Sequence, residues 1–144
     1  ATFVNIEGNL LPEDCGLASR RTASVTIEQF ESSLLPIFQT DFPSGPGYFE
    51  LDRAEPIAFF ESARSLLVWS DSGKLLETFK ALQCPRLYVY GERSDVSYAL
   101  KELGDIPTLR APSCGHFVTG DNPEWFFARF SDFLLANLSS PEIS

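Results

Sequence analysis

The apolar positions of the chain follow two rhythms. Thr2-Phe3-Val4-Asn5-Ile6 is a β-branched and aromatic run closed by Glu7-Gly8-Asn9, and it predicts a strand. The spacing then turns helical. Pro12-Glu13-Asp14 sets a proline and two acids at a helix start, predicting a short helix from about Asp14 to Ala23. Thr26 and Gln29 have capping-box spacing ahead of Phe30, Leu34 and Phe38, so a second helix is expected over 26–38, with Pro36 kinking or ending it. Phe42 to Gly47 has loop composition, and two more helices are expected over Asp52–Leu67 and Ser72–Leu82. Arg86 to Tyr90 is almost continuously apolar, which suits a strand buried on both faces, and it stops at Gly91. A helix over Val96–Leu103 is closed by Gly104, and a third strand covers Ile106–Arg110. After the loop Pro112–His116 comes a last helix, Pro123–Leu138, with Trp125, Phe126, Phe130, Phe133, Leu134 and Leu138 on its apolar face.

Strands that alternate with helices predict an α/β fold with three parallel strands joined by right-handed crossovers. The stretch 10–70 is too long for a simple crossover. It reads as a helical lid inserted into a core made of residues 1–9 and 71–144. In open α/β sheets ligands sit at the carboxyl ends of the strands. That singles out Glu7-Gly8-Asn9, the segment from Gly91 to Asp95, and the segment from Ser113 to His116.

Composition narrows the chemistry. At 144 residues the chain is sized for one domain, and its 44% hydrophobic content argues for a packed core. A formal charge of -9 disfavours nucleic acid and anionic membrane surfaces as partners. No apolar run is long enough for a membrane span. Cys15, Cys84 and Cys114 are odd in number and widely spaced, which favours free thiols in a reducing, cytoplasmic setting over a zinc site. A single His excludes a multi-His metal centre, and no metal is expected. The absence of Met, with an apolar strand at the very start, leads us to expect that the chain is a fragment or subunit whose missing part precedes Ala1.

If imidazole does acid–base chemistry here, His116 does it. Its ordinary alternative is a structural His that caps the last helix. Asp95 lies a few residues beyond the second strand, where an acid can orient the base; the plainer use of Asp at such a place is to cap the following helix. Glu7 ends the first strand and can serve the same purpose, or can shape the Gly8 turn. Trp69, Phe38 and Phe42 are candidates to line an apolar substrate pocket, although aromatics at helical spacing are more commonly core.

Three stretches together resemble the α/β-hydrolase family. Phe3 to Leu10, with Pro12-Glu13-Asp14-Cys15 and Ser19-Arg20-Arg21, resembles the segment that follows that family's nucleophile helix. Leu75-Leu76, Leu82 and Cys84 to Glu92 resemble its seventh strand. Gly115-His116-Phe117, Asp121-Asn122-Pro123-Glu124, Phe130 and Phe133-Leu134 resemble its histidine loop and closing helix. The resemblance implies the lid and last three strands of a serine hydrolase of esterase or lipase type, with the N-terminal half of the fold absent. It implies His116 as base and Asp95 as its orienting acid on the pattern Gly-x-x-Ser-Asp, with Glu7 as rival because some members take the acid from the sixth strand. The family's nucleophile elbow, G-x-S-x-G, does not occur in these residues. The expected activity is hydrolysis of a small-molecule ester or related acyl substrate without a cofactor. The nucleophile would come from a companion N-terminal segment, and this chain alone would be inert. Oligomers are compatible with this reading. Two alternatives remain: a non-catalytic interaction module on the same scaffold, and an epoxide hydrolase or dehalogenase relative with an Asp nucleophile.

Overall fold

Three strands, β1 (Phe3–Ile6), β2 (Arg86–Gly91) and β3 (Thr108–Ala111), form one parallel sheet in the order β1-β2-β3. The structure, a computed structural model, describes residues 1–16, 18–42 and 53–138. Phe3 pairs with Arg86 and Ile6 with Val89, while Tyr88 pairs with Thr108 and Gly91 with Ala111. Parallel pairing brings the carboxyl ends of all three strands to one edge, so residues far apart in sequence converge there.

The described chain packs as two units, Ala1–Glu7 with the chain from Lys80 onward, and Gly8–Phe79. In the sheet unit, β2 carries most of the burial. Leu87 and Val89 join Ala111, Cys114, Val118 and Phe126 in one core, with Val4, Ile6, Leu109, Trp125, Phe130 and Phe133 packed against it. α8 (Pro123–Leu138) supplies the aromatic side of this core, and its Phe126 and Phe130 rings stack at 5.8 Å. Alternate β2 residues point to the other face, where Tyr88 is buried, so the strand is covered on both sides as its apolar run requires. α6 (Ser97–Leu103) ends at Gly104, whose φ of 60° suits glycine. Short α7 (Val118–Asp121) lies between the expected loop Pro112–His116 and the expected last helix, where no element was assigned.

The helical unit begins with a 3-10 turn (Pro12–Gly16) and α1 (Ser19–Ala23), where one continuous helix was expected. Thr26 and Gln29 form the full capping box at α2 (Ile27–Gln29). The helix does not end at Pro36. A π-helical turn over Phe30–Leu34 leads into α3 (Leu35–Asp41), with Pro36 in the first turn of that segment, where a missing N–H costs least. Phe30, Phe38 and Phe60 are the buried core of this unit. α4 (Pro56–Asp71) begins four residues later than expected, with Pro56 in its first turn, and α5 (Lys74–Ala81) follows after Gly73. Most of the expected loop over 42–47 lies outside the described residues. No helix among the described residues is long and apolar enough to cross a membrane.

Candidate functional site

Glu7 is the first residue past β1, and its backbone is left-handed, with φ of 42°. A non-glycine residue in that region costs about 1–3 kcal/mol and persists only where its surroundings over-determine it. Here the surroundings do. The Glu7 N–H donates to the Val89 carbonyl at 3.0 Å. Its Oε1 accepts the Gly91 N–H at 2.6 Å, and its Oε2 lies 3.0 Å from His116 Nδ1. The turn therefore swings the carboxylate off β1 and across the carboxyl end of β2 to the ring. The Glu7 side chain is 5% exposed, while that of His116 is 45% exposed.

The electrostatics follow from these contacts. Burial alone would push the Glu7 carboxyl up, but hydrogen bonds from His116, the Gly91 N–H and Ser94, with the attraction of the imidazolium, hold it below the usual value near 4.5. A carboxylate only accepts, so the neutral ring carries its proton on Nδ1. That leaves Nε2, on the exposed ring, as a lone-pair acceptor able to take a proton.

A carboxylate with a depressed folded pKa contributes stability that is complete above its unfolded value and is lost as pH falls through the folded one. We therefore expect the stability advantage of the wild-type chain over Glu7→Gln to shrink as pH falls from 6 to 3. Urea titrations at several pH values measure it. An advantage unchanged across that range would show that the Glu7 charge is not engaged.

His116 sits on the loop after β3, and three backbone polar groups just before it have partners. The Ser113 N–H donates to Glu92 Oε2 at 2.9 Å, the Cys114 carbonyl accepts the Arg93 N–H at 2.8 Å, and the Gly115 N–H donates to Asp121 Oδ2 at 2.6 Å. Ser113 takes a left-handed φ of 58° to make the bend. Gly91 is where the two loops touch. A Cβ there would lie 2.6 Å from the Cys114 carbonyl oxygen and closer still to that of Gly115, so only glycine fits.

The other candidate residues are placed as follows. Asp95 turns to the start of α6, where its Oδ1 accepts the Ser97 hydroxyl at 2.9 Å and the Ser97 N–H at 3.3 Å. The carboxylate on the His116 ring is that of Glu7, because the left-handed turn after β1 aims Glu7 inward while Asp95 lies exposed one turn further along. His116 does not cap the last helix; Asn122 Oδ1 accepts the Trp125 N–H there at 3.3 Å. Phe38 is fully buried and stacks on Phe42 at 5.2 Å, the ordinary fate of aromatics at helical spacing. Trp69 is half exposed on α4, with Lys74 Nζ 5.9 Å from its ring. Cys114 is buried in the core and burial pushes its thiol up, so it stays protonated.

Among the described residues, no group of three or more His, Cys, Asp or Glu side chains could hold a metal ion. A cleft of about 660 Å³ in the sheet unit lies at the amino ends of β2 and β3, lined by Pro85, Arg86, Ile106 and Pro107 among others. That is the opposite end from Glu7 and His116, so the cleft and the acid–base pair are separate features. The sequence pattern singled out the segment from Gly91 to Asp95 but gave Asp121 no role at the site. The signal for Asp121 was its place five residues past His116, before Asn122-Pro123. No protein-family model matches the chain, and no curated protein matches it.

Proposed function

We propose that Glu7 and His116 are the acid and base of a nucleophilic hydrolase that cleaves ester-like acyl substrates. The supporting observation is the buried Glu7 carboxylate 3.0 Å from His116 Nδ1, at the carboxyl ends of a parallel sheet. In this scheme Nε2 takes the proton of a serine hydroxyl as its oxygen adds to the substrate carbonyl. The imidazolium, held by Glu7, then gives that proton to the departing alkoxide. A water molecule, deprotonated by the same Nε2, releases the acyl group and restores the serine. The serine and the donors for the oxyanion come from polypeptide other than these residues. No metal or organic cofactor takes part in the scheme.

The test uses the protein carrying this sequence, purified from its natural source. A fluorophosphonate probe is expected to label one serine outside these residues, and labelling is expected to block turnover of a 4-nitrophenyl ester. Labelling of a serine within them, or absence of both labelling and turnover, would overturn the proposal. A second reading, a non-catalytic interaction module, draws on Phe127 and Leu135, which stand 56% and 66% exposed on α8. It predicts the second of those negative results.

A further inference from the structure

The loop that carries His116 is held by groups that the hydrolytic scheme does not use. The Glu92 carboxylate and the Arg93 backbone N–H act on Ser113 and Cys114, three and two residues before the ring. Asp121 acts on Gly115, the residue that immediately precedes it. The Asp121 side chain is mostly buried, and its 2.6 Å bond to Gly115 is short for an N–H donor, as charge assistance makes such bonds. It also pairs with Arg93, at 3.5 Å from a guanidinium that is two-thirds exposed and contributes little. The Gly115 carbonyl lies against Gly91, where not even a Cβ fits. Gly115, the residue before His116, is therefore fixed at its N–H by Asp121 and at its carbonyl by backbone contact.

We infer that Asp121 is a positioning residue for His116. By holding the Gly115 N–H it sets where the His116 Cα lies, and so whether Nδ1 meets the Glu7 carboxylate. This inference rests on the Glu7–His116 pairing of the proposed function and adds the device that keeps the pair in register. Asp121 touches neither the ring nor any reacting atom in that scheme. Its effect reaches the chemistry only through the loop.

The chain has a single His, so long-range nitrogen–proton NMR of the histidine-labelled chain reports the tautomer of His116 without ambiguity. At a pH where the ring is neutral, the wild type is expected to show mainly the Nδ1–H form. Asp121→Ala is expected to lower the ratio of Nδ1–H to Nε2–H by about tenfold, the effect of losing one hydrogen bond of ordinary strength. Asp121→Asn keeps an acceptor for the Gly115 N–H and should stay within about twofold of wild type. Phe130→Leu loosens the core without touching the loop and should leave the ratio unchanged. Should Asp121→Ala fail to fold, Asp121→Ser, too short to reach the Gly115 N–H, takes its place.

A wild-type ratio in Asp121→Ala, a tenfold fall in Asp121→Asn, or an equal fall in Phe130→Leu would each overturn the inference. Glu7→Leu separates the two levels of the argument. If it leaves the ratio unchanged, the Glu7–His116 pairing itself fails. If it collapses the ratio while Asp121→Ala does not, only the role given to Asp121 fails.

Discussion

Gly91→Ala is expected to lower the unfolding free energy of the sheet unit by about 2–4 kcal/mol, a large share of the total for a domain of this kind. The added methyl would press on the carbonyl oxygens of Cys114 and Gly115. These are backbone atoms, so no rotamer change relieves the contact. They are also fixed, because the Cys114 carbonyl accepts from Arg93 and the Gly115 N–H is bound to Asp121. The same substitution displaces the Gly91 N–H from Glu7 Oε1, which leaves a buried carboxylate oxygen without one of its donors. Trp69 lies in the helical unit and Trp125 in the sheet unit, so in a Trp69→Phe background the fluorescence of Trp125 follows the sheet unit in urea. A midpoint unchanged by Gly91→Ala would mean that the β2 and His116 loops are not packed as described.

The second expected result concerns activity and follows from the proposed hydrolysis. In the protein carrying this sequence, His116→Ala should lower ester turnover by about 10⁴-fold or more, because it removes the imidazole that takes the serine proton in that scheme. Glu7→Gln keeps the shape but removes the charge that stabilises the imidazolium, and it allows the wrong tautomer. A loss of about 10²–10⁴-fold is expected. Asp95→Asn should stay within about twofold, since the Asp95 carboxylate serves the first turn of α6. Comparison of kcat and KM for the three variants decides the matter. A loss in Asp95→Asn as deep as that in Glu7→Gln would transfer the orienting role to Asp95 and remove Glu7 from the scheme.

Spacing rules left the acid open between Asp95 and Glu7 because distance along the chain says nothing about where a side chain points. A resemblance to Gly-x-x-Ser-Asp favoured Asp95. The contact depends on one backbone angle, the left-handed φ of Glu7, which no propensity of glutamate would suggest. The Asp121 bond to Gly115 was hidden for a similar reason. An acid just before Asn-Pro at a helix start reads as a capping element, and only the fold of the loop turns it back onto the residue before His116.

The sequence alone determined the parts whose cause is local. The capping box at Thr26 and Gln29, the stop at Gly104 and the run of α8 from Pro123 to Leu138 all follow from residues within a few positions of one another. So does the burial of β2 on both faces, because an uninterrupted apolar run has no polar side to offer water. The tertiary structure decided what depends on non-local pairing. The π-helical turn that lets the chain pass Pro36, the close approach of Gly91 to Gly115, and the choice of Glu7 as the carboxylate on His116 are of this kind. Glu7 and His116 are 109 positions apart. What joins them is the parallel register of three strands, which sets their carboxyl ends side by side, and a turn after β1 whose conformation is fixed by β2 rather than by its own residues.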